Sequence, residues 1–296
     1  MMNTIERQEK ILLITFLFIP SILLLLFVVY PIMKLLHISF TNWNGIDATM
    51  KYVGFNNYKR VIFDSPELWL SLKNNGLYFF IHLLAIPVEI FIAFLLDRKL
   101  RGAKFFKTMV FMPYIINGVA VSYMFSMLYS SEGGALNYIL NSFNMEPVNW
   151  LSNSAIVNFS LVAVSIWRFS GMHIILFLAG IQSISHDMIE AAIVDGANVV
   201  QQFFKIILPN IKTVVTIVLF LNVSGALQVF DIPFIMTQGG PGSTSSTFTL
   251  FTIETAFKYS NFGKACAMAV ILMILIILIS GIQNKLLGEK EQNYGR

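Results

Sequence analysis

Long apolar runs separated by short polar stretches dominate this chain. Six runs reach about twenty residues, the length needed to cross about 30 Å of hydrocarbon at about 1.5 Å per residue. They cover approximately residues 11 to 37, 75 to 96, 108 to 129, 156 to 181, 213 to 236 and 262 to 283. No ten-residue segments alternate between apolar and polar positions, and backbone in lipid has to satisfy its own hydrogen bonds, so each run is expected to be a helix. The pattern predicts an all-α membrane protein with six transmembrane helices. Arg7 and Lys10 precede the first run as they would in a signal peptide. That run is too long for an h-region, however, and Lys34-Leu35-Leu36-His37 offers no small-residue cleavage site, so it reads as a span.

The segment between the fourth and fifth spans carries helix punctuation of its own. Asp187 is placed to be an N-cap, with Glu190 three residues on at capping-box spacing, and Gly196 suits the left-handed residue that closes a short helix. Asn198 is placed to cap a second helix, in which Val199, Val200, Phe203, Phe204 and Ile207 form an apolar stripe until Pro209 breaks the pattern. The prediction is a short helix, a turn and an amphipathic helix at the bilayer surface. Small side chains at Ala191, Ala192 and Ala197 let another surface approach the backbone, and Glu190 and Asp195 are available to basic groups there.

Composition agrees with the membrane reading, because 56% apolar and 12% charged residues depart far from the roughly one quarter charged of a soluble domain. The net charge of +4 does not point to nucleic acid, since the basic residues sit in short clusters beside apolar runs rather than along one polar face. Their distribution sets the orientation. With the amino terminus inside, the inner segments hold Arg7 and Lys10, then Arg98, Lys99, Arg101, Lys104 and Lys107, then Lys205 and Lys212, then Lys285, Lys290 and Arg296. The outer segments hold Lys51, Lys59, Arg60, Lys73 and Lys258, and residues 130 to 155 hold none. Both termini are therefore expected in the cytoplasm. Residues 1 to 10 form an inner amino terminus, 11 to 283 the membrane domain with an inner loop at 182 to 212, and 284 to 296 an inner tail.

The loop residues carry a family resemblance. Glu190-Ala191-Ala192, three residues, Gly196, nine residues, Ile206, one residue, then Leu208-Pro209 resembles the cytoplasmic-loop signature of binding-protein-dependent ABC importer permeases. Further matches lie at Gly54-Phe55-Asn56-Asn57-Tyr58, Gly134-Ala135-Leu136-Asn137, Thr237-Gln238-Gly239-Gly240-Pro241-Gly242, Ala256-Phe257 and Gly263-Lys264-Ala265-Cys266-Ala267. Together they place the chain with the carbohydrate permeases of MalF type, without the large outer domain and extra spans of some members. The resemblance implies ABC type I importer permease architecture and a multi-pass protein of the bacterial cytoplasmic membrane. It implies an extracytoplasmic sugar-binding protein, a second sugar-permease subunit in a heterodimer, and two copies of a cytoplasmic ABC ATPase. By similarity Glu190, Ala191, Ala192, Asp195 and Gly196 form the coupling helix that takes the push from the ATPase, a rigid-body transmission rather than chemistry.

Energy is expected from outside the chain. No Gly-x-x-x-x-Gly-Lys-Ser/Thr loop is present, since Gly263-Lys264 lacks both the upstream glycine and the following hydroxyl residue, so ATP and Mg belong to the partner ATPase and this chain needs no cofactor. The single Cys266 lies in an apolar run and reads as packing; His37, His82, His173 and His186 are scattered, read as structural, and form no metal-binding motif. No nucleophile and base are spaced for an intramembrane enzyme, and the internal repeats of a secondary transporter are not evident.

Polar residues inside spans are costly and face cavities or partners. Sugar hydroxyls need amide, hydroxyl and charged groups while the sugar's apolar face stacks on rings, so Tyr114, Asn117, Trp167, Arg168, Asn222, Gln228 and Asp231 are the candidates to line the path. Arg168 has two readings: contact with a charged sugar, polyol or glycerol-phosphate-type substrate, or an ion pair with Asp231 that holds the bundle together. Any of these residues could equally glue helices, and Glu89 in the second span reads as structural. Outer loops 39 to 74 and 130 to 155 are long enough for short helices and are expected to meet the binding protein.

Overall fold

The computed structural model describes residues 4–98 and 102–287. Lys99, Arg101, Lys290 and Arg296 of the charge pattern lie outside the described residues, as do residues 1–3, the tail beyond 287 and the side chain of Arg7. Five helices are long and apolar enough to cross a bilayer, over Gln8–Ser39, Pro66–Asp97, Val157–Gln182, Lys212–Met236 and Phe262–Leu287, and the bent pair Ala103–Ile115 with Gly118–Leu128 makes a sixth. Among the described residues the only β-pairing is an isolated bridge between Thr41 and Tyr52.

The chain divides into two compact units, one holding the residues up to Ser65 with Thr252–Ile271, the other Pro66–Phe251 with the residues from Leu272 on. The first unit contains α1 (Thr4–Leu24), a π-helical turn (Leu25–Val29), α2 (Tyr30–Ser39) and α3 (Asn56–Phe63). From Leu12 to Met33 the apolar side chains of this first span are exposed on every side, a surface suited to lipid or another subunit and not to water. Asn57, buried, donates from Nδ2 to the carbonyls of Ser39 at 2.8 Å and Thr41 at 2.7 Å, serving the open end of α2. Gly263 donates its backbone N–H to the Trp43 carbonyl at 2.9 Å, and Lys264 Nζ donates to Ser65 Oγ at 2.7 Å. Two of the recognised sequence motifs thus meet here as scaffold.

The second unit is built on α4 (Pro66–Asp97) and α8 (Val157–Gln182), with α5 (Ala103–Ile115), α6 (Gly118–Leu128), α7 (Ala135–Ser142), α9 (His186–Val194), α10 (Val199–Gln202), a π turn (Phe203–Ile207), α11 (Leu208–Asn210), α12 (Lys212–Gln228) and α13 (Asp231–Met236). Two helices run across the division between the units, α14 (Phe248–Phe257) and α15 (Phe262–Leu287). Short helices are present in both of the long loops at 39 to 74 and 130 to 155, as α3 and α7. The second span starts at Pro66, earlier than the expected 75, because Pro suits a helix's first turn and the polar Asn74 and Asn75 face buried partners instead of ending the helix.

Three expectations need correction. The third span is not one helix, since α5 and α6 meet at 96°. Ile116 is extended (ψ 136°), and the Asn117 side chain accepts the Val119 N–H at 2.8 Å, capping a new helix at the Asn-Gly step. The fifth span, expected at 213 to 236, is observed at Lys212–Met236, with its helical hydrogen bonding interrupted at Val229 and Phe230 between α12 and α13. In the inner loop the N-cap of α9 is Ser185, extended at ψ 136°, which puts Asp187 in the first turn, where its charge complements the helix N-terminus. Pro209 does not stop the following helix. The preceding π turn, in which Leu208 N–H bonds to the Phe203 carbonyl, absorbs the proline, and the break falls at Ile211. The other loop features stand: Gly196 has φ +79°, and Asn198 and Gln201 exchange side-chain to backbone bonds of 2.9 Å each in a capping box.

A core of Ile86, Ile90 and Phe94 from α4, Ile174, Phe177 and Ile181 from α8, and Val218 from α12 continues without interruption into Ile184, Ile207 and Ile211 of the inner loop. The α8–α5 contact is close enough that a side chain at Gly171 would strike the Val110 carbonyl. Replacing Gly171 with Val is expected to lower stability by about 2–3 kcal/mol or abolish assembly, because the obstacle is backbone and cannot rotate away. Thermal unfolding of the detergent-purified chain, followed by size-exclusion profile, checks this; an unchanged midpoint would mean that α5 is free to shift.

Candidate functional site

The two helix breaks lie beside a cavity of about 430 Å³, within the range of small-molecule sites. Tyr78 and His82 of α4 and Tyr114 of α5 line it, with Ser165, Phe169 and His173 of α8. Leu221, Asn222, Gly225 and Gln228 of α12 continue the wall, and the break itself contributes Val229, Phe230 and Asp231. Its surface is mostly apolar and aromatic with a few polar groups.

Breaking a helix in a membrane exposes carbonyls that lipid cannot satisfy, and the residues that satisfy them here come from distant parts of the sequence. Asn75 Nδ2 donates to the carbonyls of Ala226 at 2.5 Å and Leu227 at 3.3 Å, and Asn75 Oδ1 accepts the Phe248 N–H at 2.8 Å. Thr247 Oγ1 donates to the Val229 carbonyl at 2.8 Å. The neighbouring Asn74 donates to the carbonyls of Thr244 and Ser246, each at 2.7 Å, and so ties down the segment that follows the glycine-rich turn. Asn137, buried in the outer loop, accepts from Val148 N–H at 3.0 Å and Trp150 Nε1 at 3.1 Å.

Of the seven path candidates, Tyr114, Asn222, Gln228 and Asp231 line the cavity, whereas Asn117, Trp167 and Arg168 do not. Asn117 is occupied as the α6 cap, and Trp167 packs edge-on against Phe125 at 5.1 Å. Arg168 donates from a terminal guanidinium nitrogen to Asp231 Oδ2, while Asp231 Oδ1 accepts the Ile232 N–H at 3.0 Å. The ion-pair reading of Arg168 is the one the structure shows. A side chain at Gly118, the first residue of α6, would strike both partners, so span four and the breaks of spans three and five converge on this pair.

A second polar group joins Glu89, His82 and His173, each of which the sequence suggested was structural, in pairings that it did not show. Glu89 Oε2 and His173 Nδ1 are 3.1 Å apart, and His82 Nε2 and Ser165 Oγ 2.9 Å apart, all buried. The ring centroids of His82 and His173 are 6.4 Å apart. A signal was available: His82 and Glu89 are seven residues apart, and Ser165 and His173 eight, spacings that put each pair on one helix face. Among the described residues no group of three or more His, Cys, Asp or Glu is arranged to hold a metal ion.

On the inner loop Glu190, Ala191, Asp195 and Gly196 are exposed and Ala192 is half-buried. Ile193 and Val194 are exposed with them, Val194 at 86%, while Phe203 packs against Phe94 at 5.4 Å between ring centroids. One face of the loop is thus free for contact and the other is fastened to the spans.

A family model described as the binding-protein-dependent transport system inner membrane component matches residues 76–290. The chain belongs to this family. As a permease of such a system it is a membrane-embedded transporter subunit rather than an enzyme, and its six-span fold is the ABC type I importer permease architecture. It is 32% identical over 277 residues to the multiple sugar-binding transport system permease protein MsmF of Streptococcus mutans, covering 92% of this chain and 93% of that one. It is 31% identical over 287 residues to the probable ABC transporter permease protein YurN of Bacillus subtilis, covering 94% and 97%. A solved bacterial ABC transporter involved in import of the acidic polysaccharide alginate shares the permease's fold, with a TM-score of 0.83 at 22% identity over 95% of this chain and 96% of that one.

Replacing Asn75 with Leu removes the amide that serves the Ala226 and Leu227 carbonyls at nearly constant volume. The expected cost is about 1–3 kcal/mol, with transport falling in parallel because the break loses its support. Thermal stability and uptake of the reconstituted variant check this, and full stability would show that the break is held by other contacts.

Proposed function

We propose that this permease forms part of the translocation path for a sugar or oligosaccharide in an ATP-driven importer, and that its inner loop couples the path to cytoplasmic ATPases. The observation that carries the reading is the cavity at the two helix breaks, which combines aromatic rings at Tyr114, Phe169 and Phe230 with neutral polar groups at Asn222 and Gln228. Rings match the apolar face of a sugar, and amides match its hydroxyls. Relatives support the substrate class, among them the multiple sugar-binding permease and the trehalose/maltose transport system permease protein MalF of Thermococcus litoralis, 30% identical over 257 residues. A second, open cleft of about 370 Å³, with hydroxyls at Ser130, Ser131, Ser152 and Thr237, lies on the outer side in this reading and suits a sugar on its way in.

The coupling surface is Glu190, Ala191, Ala192, Asp195 and Gly196. ATP and Mg are bound by two copies of a partner ATPase, not by this chain. A second permease completes the path as a heterodimer, and an extracytoplasmic sugar-binding protein delivers the cargo to the outer loops. Both termini face the cytoplasm of a bacterial cell. The continuous core from Phe177 and Ile181 into Ile184, Ile207 and Ile211 supports a lever mechanism, since a push on the exposed face of the loop moves packed side chains rather than a slack tether.

The test is a mild-detergent pull-down of the tagged chain from its native membrane, with mass spectrometry of the retained proteins. A second permease and an ATPase are expected with the unaltered chain. Glu190→Lys is expected to lower ATPase recovery and sugar uptake at least about tenfold, because it reverses a charge at the exposed contact face. A chain recovered alone that still moves solute without ATP would overturn the reading.

A further inference from the structure

The cavity's fixed charges identify the class of sugar, an inference that rests on the sugar reading above. The titratable groups lining it are Tyr78, His82, Tyr114, His173 and Asp231. Glu89 stands behind His173, within hydrogen-bond distance of Nδ1. Arg168 stands behind Asp231: its side chain is 15% exposed against 34% for Asp231, it is not part of the lining, and the carboxylate holds it. At this part of the wall Asp231 presents a carboxylate, with the guanidinium of Arg168 paired to it from outside the lining.

The wall also carries amides and hydroxyls. Asn222 keeps its carbonyl oxygen after donating to the Phe79 carbonyl at 3.3 Å, and the Tyr78 hydroxyl, on a residue 1% exposed, has no hydrogen-bond partner among the described residues. A buried hydroxyl without a partner is costly and is satisfied by a bound polar ligand or water. An uncharged polyhydroxyl compound fits such a wall. A uronate or phosphate would bring its charge against Asp231 where the low dielectric strengthens repulsion. The fold does not decide the matter, since a similar fold serves an acidic polysaccharide in the solved alginate importer.

We propose that Asp231 is a specificity-determining residue that restricts the cavity to uncharged sugars, by holding Arg168 in an ion pair and presenting its own carboxylate to the cargo. The test uses the complete complex in nanodiscs, with partner permease and ATPases and without binding protein. A plant-wall hydrolysate is divided by anion exchange into neutral and uronate-bearing oligosaccharide pools, and the retained sugars are quantified by mass spectrometry. The unaltered complex is expected to retain neutral over acidic sugars by at least about tenfold. Asp231→Asn leaves Arg168 without its counter-ion and is expected to raise acidic retention at least about tenfold, whereas the double variant Arg168→Gln with Asp231→Asn falls between the two. A purely structural pair would lower retention of both pools alike. Equal retention of both pools by the unaltered complex overturns the proposal, as does an unshifted ratio in an intact Asp231→Asn complex. If Asp231→Asn fails to assemble, the unaltered ratio and the double variant decide. Retention of neither pool by a complex that hydrolyses ATP would instead overturn the sugar reading itself.

Discussion

Inside a bilayer every backbone polar group has to find a partner within the protein, and this requirement shapes the second unit more than any other. A transport path needs space between helices, and space is made here by breaking spans three and five rather than by moving whole helices apart. Each break frees N–H and C=O groups that the protein has to satisfy wherever lipid excludes water. Asn117 caps one side of the first, while Asn75 and Thr247 serve carbonyls at the second. The wall of the cavity is thus held in part by polar residues from elsewhere in the chain.

The same breaks bring charged groups together. An arginine in a span is expensive unless its charge is compensated, and Asp231 at the start of α13 is the compensating group for Arg168. Because the small Gly118 leaves room beside both, α6, α8 and α13 meet at one point. A pair of this kind adds little net stability, since its attraction has to offset the desolvation of two ions. Its effect is to fix geometry: the carboxylate is held at the cavity wall and the guanidinium stays outside the lining.

Much of the fold was legible because membrane spans announce themselves by length and composition alone. The fourth span, expected at 156 to 181, is observed at Val157–Gln182. What sequence reading could not see was interruption within an apolar run. Asn117-Gly118 and the stretch from Gln228 to Asp231 contain the residues that break spans three and five, but the same residues are tolerated in unbroken membrane helices when neighbours satisfy them. Pro209 misled in the opposite direction. It normally ends a helix, yet a π turn just before it let the helix pass. Asp187 had the chemistry of an N-cap, but Ser185 holds the extended conformation that begins α9.

Pairings between spans were the least legible, because nothing in one helix names its partner in another. Glu89 and His173 are separated by 84 positions and His82 and Ser165 by 83, yet both contacts are made by the packing of α4 on α8. Each histidine looked like an isolated polar residue on an apolar helix, whose ordinary use is structural. The structure gives that use a further consequence. When Glu89 engages one ring nitrogen of His173, the ring is held with its orientation set, and His173 lines the cavity. A buried carboxylate thus acts on the cavity without lining it, just as Arg168 does from behind Asp231. The polar groups at the cavity are thus arranged in two layers, and the layer that lines it offers hydrogen bonds whose directions are set by the layer behind.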